Sequence, residues 1–152
     1  MEIKIKNLKK EQVRSIFDWN YQGEYKVYNM PSMDLAIRNN IGIVNDDKRD
    51  KEFFSLYENN DFIGYIRLID LEDIISFGIG LKPNYCGKGY SNKVMPKILE
   101  YIKDNYNGKE IRLIVRSFNK RAIKVYDKYG FEEIGTEYIN NIEFIVMNKI
   151  IE

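Results

Sequence analysis

Residues 86–91 read Cys86-Gly87-Lys88-Gly89-Tyr90-Ser91, and they follow an apolar run over residues 74–81 that is typical of a strand. The apolar positions after this turn share one helical face: Val94, Met95, Ile98, Leu99 and Ile102. A glycine-rich turn that opens a helix directs backbone N–H groups at phosphate oxygens, and the helix dipole adds favourable charge. The segment, called the glycine turn below, therefore predicts a phosphate site between a strand and a helix.

Two well-known phosphate loops do not fit the glycine turn. A nucleotide-triphosphate loop needs Ser or Thr after its lysine, but Lys88 is followed by Gly89. A dinucleotide fingerprint would need a third glycine at position 92, where this sequence has Asn92. It would also need a preceding strand that opens a βαβ unit, whereas residues 74–81 belong to a meander. A turn that is glycine-rich for steric reasons alone remains an alternative.

The elements before the glycine turn are predicted from periodicity. Residues 53–57 and 62–68 flank the turn Asn59-Asn60-Asp61, and with residues 74–81 they indicate an antiparallel meander. The predictions nearer the amino terminus are a strand at Ile3 and Ile5, a helix carrying Val13, Ile16 and Phe17, an aromatic loop over residues 19–28, a short helix over residues 33–39 capped by Ser32, and a solvated polar connection over residues 46–51.

The elements after it complete the fold. A helix interrupted by Pro96 precedes a strand with Ile111, Leu113 and Val115, and Asn119 then caps a helix that ends at Gly130. Residues 131–139 and 142–147 form a closing hairpin. We predict one α/β domain over residues 1–152, with a mostly antiparallel mixed sheet and helices on both faces.

Composition excludes several classes of function. The chain has 152 residues, a net charge of +1, one cysteine and no histidine. Catalysis by Ser-His-Asp or Cys-His sets is therefore excluded, Cys86 has no histidine to activate it as a nucleophile, and we expect no metal site. The balanced charge and the absence of a long apolar run or a signal peptide predict a cytoplasmic protein with neither nucleic acid nor a membrane as its partner.

Two segments resemble motifs of the GNAT acetyltransferase superfamily. The glycine turn is similar to its cofactor loop, with Gly89 and Ser91 at the small positions and Cys86 where Arg or Gln is usual. Residues 119–131 resemble a second motif of the family, which has Asn, Ala, Tyr, Gly and Phe at fixed spacing. All five match in this sequence: Asn119, Ala122, Tyr126, Gly130 and Phe131.

The resemblance implies that acetyl-CoA binds where the fourth and fifth strands splay apart, and that an amine attacks the thioester directly. Tyr126 is the implied catalytic residue, because it corresponds to the tyrosine that donates to the departing thiolate. The implied cofactor-binding residues are Ile79, Leu81, Gly87, Lys88, Gly89, Tyr90, Ser91, Asn92, Asn119 and Tyr126. Backbone N–H groups near residues 79–81 are implied to stabilise the oxyanion.

The resemblance says less about the general base and about the residues that bind the amine acceptor. Some relatives carry a glutamate base at positions that are Ile75 and Ile114 here, so Glu24, Glu72, Asp73 and a water chain remain open. The aromatic segment is the implied acceptor site, with burial in a small core as the alternative, and its candidate residues are Trp19, Tyr21, Glu24, Tyr25 and Tyr28.

The function implied is transfer of an acetyl group from acetyl-CoA to a primary amine of a small molecule or peptide, by a monomer or homodimer. A catalytically idle CoA-binding domain and a transferase of longer acyl groups are the alternatives.

Overall fold

The computed structural model describes residues 2–152. Its strands are β1 (Ile3–Asn7), β2 (Phe53–Glu58), β3 (Asp61–Asp70), β4 (Ile74–Leu81), β5 (Glu110–Arg116), β6 (Glu132–Ile139) and β7 (Ile142–Ile150). Its helices are α1 (Lys10–Phe17), α2 (Met33–Arg38), α3 (Asp46–Glu52), α4 (Ser91–Asn105) and α5 (Lys120–Lys128). Three short 3-10 helices cover Gly23–Tyr28, Gly42–Val44 and Pro83–Tyr85.

The seven strands form one mixed sheet in the order β1-β2-β3-β4-β5-β7-β6. Strands β1 and β2, β5 and β7, and β6 and β7 pair antiparallel, whereas β4 and β5 pair parallel. The α/β fold predicted from the sequence, with a mostly antiparallel mixed sheet, is confirmed.

The parallel ladder between β4 and β5 is short. It runs from the pair Ile74–Glu110 to the pair Ser76–Arg112. Each strand continues past this register, β4 to Leu81 and β5 to Arg116. The ladder therefore ends before the last residues of either strand.

The chain groups into two compact units. Within residues 2–152, the first consists of residues 2–66 and Ile79–Lys88, and the second of Arg67–Gly78 and Gly89–Glu152. A core cluster in the first unit contains Leu8, Val13, Ile16, Trp19, Ile43 and Phe53. The second unit buries the predicted α4 stripe at Val94, Met95, Ile98 and Ile102, and the inward positions of β5 at Ile111, Leu113 and Val115. No helix within residues 2–152 has the length and apolar character needed to cross a membrane.

Local sequence signals for helix caps and turns are confirmed. The Ser32 side chain accepts a hydrogen bond from the Leu35 N–H at 3.2 Å, and Asn119 Oδ1 accepts from the Ala122 N–H at 3.1 Å. Asn140 and Asn141 have φ angles of 51° and 66°, the left-handed pair that a two-residue hairpin turn requires.

The prediction for residues 46–51 was wrong, because these residues belong to helix α3 rather than to a solvated connection. Asn45 caps the helix by accepting from the Lys48 N–H at 3.0 Å, and acidic residues in its first turn and basic residues in its last turn complement the helix dipole. Arg49 is only 5% exposed, and it donates to the Ile43 carbonyl at 3.1 Å and to Asp46 at 2.5 Å.

We expect Arg49→Ala to lower the free energy of unfolding by about 2 kcal/mol, because it leaves the Ile43 carbonyl without its buried donor and opens a space beneath α3. The measurement is urea denaturation, with Lys48→Ala as the control because Lys48 is exposed on the same helix. Equal losses in the two variants would contradict a structural role for Arg49.

Candidate functional site

The glycine turn has the backbone conformation that its sequence predicts. After the 3-10 helix at Pro83–Tyr85, Gly87 has a φ of 70° and Gly89 a φ of 82°. Both angles lie in the left-handed region, which glycine adopts without the penalty that a side chain brings. The chain can therefore turn sharply into α4, whose first residue is Ser91.

The start of α4 offers backbone donors. Its first internal hydrogen bonds run from the Asn92 N–H to the Gly89 carbonyl at 3.1 Å and from the Lys93 N–H to the Tyr90 carbonyl at 2.9 Å. Helix geometry leaves the N–H groups at the very start of a helix without intrahelical acceptors. A β-carbon built on Gly89 would meet no heavy atom within 4 Å, so the turn is open on that side.

The glycine turn and the first turn of α4 each contain one lysine, Lys88 and Lys93. Lys88, in the glycine turn, is exposed. Lys93 stands 4.4 Å from the centroid of the Tyr90 ring, which is a cation–π distance. Lys93 was not among the predicted cofactor-binding residues, and as a cation in the first turn of α4 it is unfavourable for the helix dipole.

Cys86 and Tyr21 both contact the last carbonyl of β4. The Tyr21 hydroxyl donates to the Leu81 carbonyl at 2.6 Å, and Cys86 Sγ lies 3.6 Å from the carbonyls of Leu81 and Lys82. Burial raises the pKa of the Tyr21 hydroxyl, and the nearby Tyr65 and Cys86 raise it further, so the hydroxyl remains a donor. Cys86 and Tyr21 therefore both lie at the carboxyl end of β4.

The end of β4 leaves little room for side chains within the first unit. A β-carbon on Gly64 would lie 2.7 Å from the Gly80 carbonyl, and one on Gly80 would lie 2.6 Å from the Tyr65 ring. The Lys82 N–H donates to the Ile63 carbonyl at 2.8 Å. The backbone around the predicted cofactor-binding residues Ile79 and Leu81 is therefore tightly constrained.

The aromatic segment divides into buried and exposed parts. Trp19 is 7% exposed and packs in the core of the first unit, with its ring 5.6 Å from Phe62 and 5.9 Å from Tyr65. This is the burial that the sequence left as the alternative for an acceptor-binding tryptophan. Tyr25 and Tyr28 instead stack at 6.3 Å on the 3-10 helix at Gly23–Tyr28.

Tyr21 and Glu24 occupy different positions relative to this stack. The Tyr21 ring meets Tyr28 edge-on at 6.4 Å, but its hydroxyl is engaged by the Leu81 carbonyl. Glu24 is exposed and lies in the same 3-10 helix as the stacked pair. Glu24 and Tyr28 are therefore exposed, whereas Tyr25 is half-buried.

Tyr126 lies on α5 in an aromatic setting of the second unit. Its ring is edge-on to Phe77 of β4 at 6.4 Å and to Phe131 at 5.8 Å, and the residue is half-buried. Asn119, at the start of the same helix, is 9% exposed and uses its side-chain oxygen for the cap. Both residues have defined orientations.

Asn92 is tied to the far end of α5. Its Oδ1 accepts from Lys128 Nζ at 2.9 Å and lies 3.0 Å from the Tyr129 hydroxyl. Sequence spacing gave no signal for these contacts, because the partners are about 36 positions apart.

Glu72 and Asp73 lie in the turn before β4, at the opposite end of that strand from residues 79–81. The Glu72 N–H donates to Asp70 Oδ1 at 3.0 Å, and the Asp73 carbonyl accepts from the Lys109 N–H at 2.8 Å. Their contacts are those of a connection between strands.

Comparisons with known proteins agree with this arrangement. The model of the acetyltransferase (GNAT) family matches residues 11–131. The chain is 24% identical over 135 residues to the acetyltransferase PseH of Campylobacter jejuni, covering 85% of this chain and 84% of the relative. It is 28% identical over 92 residues to the spermidine N(1)-acetyltransferase of Vibrio cholerae, covering 59% of this chain and 53% of the relative.

A solved structure shows the same fold. The spermidine N-acetyltransferase of Vibrio cholerae in complex with CoA and spermine superposes with a TM-score of 0.76 at 22% identity, over 98% of this chain and 95% of that one. The family model covers most of the sequence, including all but the first residue of helix α1, the glycine turn and the motif at residues 119–131. The chain therefore belongs to the GNAT acetyltransferase family.

Proposed function

We propose that residues 1–152 act as one N-acetyltransferase domain that moves an acetyl group from acetyl-CoA to a primary amine within a ternary complex. The observation that carries the proposal is the glycine turn, whose two left-handed glycines open directly into the 15 residues of α4. Backbone donors at a helix start suit a pyrophosphate group.

The donor would be held mainly by backbone groups. Gly87, Lys88, Gly89, Tyr90 and Ser91 would bind the pyrophosphate, and the open side of Gly89 leaves space for it. Asn92 would contribute to the phosphate site by its position in the first turn of α4. Its side-chain oxygen would not contact the phosphate, because it already accepts from Lys128. The pantetheine arm would pair with backbone groups at Ile79 and Leu81 and pass the amino end of α5 at Asn119.

The chemical step needs a donor for the thiolate and an acceptor for the proton of the amine. Tyr126 would donate to the departing thiolate, and backbone N–H groups near residues 79–81 would stabilise the oxyanion. Glu24 or a water chain would accept the amine proton. We do not assign this role to Glu72 or Asp73, because they lie at the other end of β4.

We further propose a small cationic amine as the acceptor. Glu24 is an exposed carboxylate on the same 3-10 helix as the Tyr25–Tyr28 stack, and aromatic faces with a carboxylate attract ammonium groups. Relatives named for spermidine acetylation support this class of acceptor.

The test is release of free CoA thiol from acetyl-CoA, measured over a panel of polyamines, amino sugars and peptides with a free amino terminus. We expect amine-dependent release with at least one small cationic amine. Binding of CoA without release for every amine would support an idle CoA-binding domain, and competition among acyl-CoA lengths would reveal a preference for longer acyl groups.

Glu24→Gln should raise the KM for the acceptor amine about tenfold, because one charge-assisted contact is replaced by a neutral one, while the KM for acetyl-CoA stays unchanged. Steady-state kinetics with each substrate varied separately measures both constants. Glu11→Gln, an exposed site on α1, is the matched control. Equal effects on both KM values would contradict the proposal that Glu24 binds the acceptor.

A further inference from the structure

Helix α4 contains a proline close to its start, and this proline leaves one carbonyl without its usual donor. Pro96 lies inside the helix that begins at Ser91. In an α-helix the N–H of residue i donates to the carbonyl of residue i−4, and proline has no N–H. The carbonyl of Asn92 therefore receives no bond from position 96.

A tyrosine from α5's carboxyl end supplies the missing donor. The Tyr129 hydroxyl lies 3.2 Å from the Asn92 carbonyl and 3.0 Å from Asn92 Oδ1. Lys128 Nζ, which can only donate, lies 2.9 Å from Oδ1. Because Oδ1 also accepts from Lys128, the single proton of the Tyr129 hydroxyl can be donated to the Asn92 carbonyl without leaving Oδ1 unpaired.

These contacts form a clamp, consisting of Asn92, Lys128 and Tyr129, that joins the first turn of α4 to the end of α5. All three residues belong to the second unit. The first turn of α4 presents the backbone donors of the glycine turn, and Tyr126 lies on α5, near the carboxyl end that Tyr129 caps. The clamp thus links the element predicted to bind phosphate to the helix that carries the predicted thiolate donor.

We propose that Tyr129 is a positioning residue that fixes the first turn of α4 for binding of CoA. This proposal rests on the proposed function. It assigns Tyr129 no contact with substrate: the residue acts by replacing the hydrogen bond that Pro96 cannot make. Its loss should weaken CoA binding and leave the rate of the chemical step unchanged, because the hydroxyl of Tyr126 is untouched.

The clamp makes a prediction that a general stabilising contact does not make. Pro96→Ala restores an N–H at position 96, and this N–H can donate to the Asn92 carbonyl within the helix. Tyr129→Phe should therefore weaken CoA binding when Pro96 is present and have little effect on CoA binding when Ala occupies position 96. The pair forms a double-mutant cycle in which the second substitution rescues the first.

The experiment compares four proteins: the natural chain, Tyr129→Phe, Pro96→Ala and the double variant. We expect Tyr129→Phe to raise the Kd for CoA, measured by calorimetry, and the KM for acetyl-CoA about fivefold, with kcat within twofold. In the Pro96→Ala background the same substitution should change both constants less than twofold. Tyr138→Phe, which removes a hydroxyl bonded to Glu143 on the β6–β7 hairpin, should leave CoA binding unchanged.

An equal loss of CoA affinity in both backgrounds would overturn the proposal, as would a fall in melting temperature without any change in Kd. Amide hydrogen exchange separates this proposal from the proposed function. If the natural chain bound no CoA, the proposed function would fail, and exchange at Asn92 and Lys93 would still decide the clamp. Exchange there must accelerate about fivefold in Tyr129→Phe and not in the double variant; unchanged exchange would refute the clamp.

Discussion

Replacing Tyr126 by phenylalanine is expected to lower kcat for acetyl transfer about 100-fold, with the KM for acetyl-CoA changed less than twofold. General acid or hydrogen-bond donation by a positioned side chain contributes about 10²- to 10⁴-fold to enzymatic rates. The substitution removes only the hydroxyl, because the phenyl ring keeps the edge-on contacts with Phe77 and Phe131. The loss should therefore appear in the chemical step and not in binding or folding.

The lower end of that range is expected for a physical reason. With a cysteine thiol as the stand-in for CoA, the usual pKa values of about 8.5 for the thiol and about 10 for tyrosine make complete proton transfer to the thiolate uphill by roughly 2 kcal/mol. Tyr126 would then act chiefly by a hydrogen bond that strengthens as negative charge develops on sulfur. Such a bond contributes less than full protonation of a poor leaving group.

Tyr101→Phe is the matched control for this measurement. Tyr101 is half-buried on α4 and edge-on to Tyr106, so it also loses a hydroxyl from an aromatic pair in the second unit. Its kcat and KM should equal those of the natural chain. Undiminished turnover of Tyr126→Phe, with CoA still bound, would show that another group or water serves the thiolate.

Features that depend on neighbouring residues could be predicted from the sequence. The strand at Ile74–Leu81 has the predicted bounds, and the caps at Ser32 and Asn119 form the predicted bonds. The left-handed turn at Asn140-Asn141 needs only its own two residues. Alternation, cap chemistry and turn chemistry all act over a few neighbouring positions, so these features can be predicted from one sequence without an alignment.

Features that depend on distant residues could not be predicted. The bond from Tyr21 to the Leu81 carbonyl joins positions 60 apart, and the clamp at Asn92 depends on two residues of another helix. Trp19 shows the same limit, since periodicity does not reveal whether an aromatic ring faces a core or an acceptor. The charge run at residues 46–51 is a different case, because it forms α3 through the local cap at Asn45, a signal that its balanced charges mask.

Gly89→Ala is the second change with a large expected effect, and it should lower kcat/KM for acetyl-CoA about 100-fold. At a φ of 82° an L side chain adds about 1–2 kcal/mol of strain, which favours a different backbone at the turn. The loss of one hydrogen bond to a charged phosphate adds about 1.5–3 kcal/mol. The new methyl group also enters the open space in which the phosphate would lie.

Gly130→Ala separates the cost of left-handed backbone from the cost to binding. Gly130 has a φ of 92°, and a β-carbon there would lie 2.7 Å from Lys149 Nζ, the flexible end of a long side chain. The two variants should lose similar stability in urea denaturation, because both place alanine in a left-handed conformation. Only Gly89→Ala should raise the KM for acetyl-CoA, because only its turn opens α4. A KM raised equally in both variants would mean that strain alone explains the effect, and the glycine turn would then have no separate part in binding phosphate.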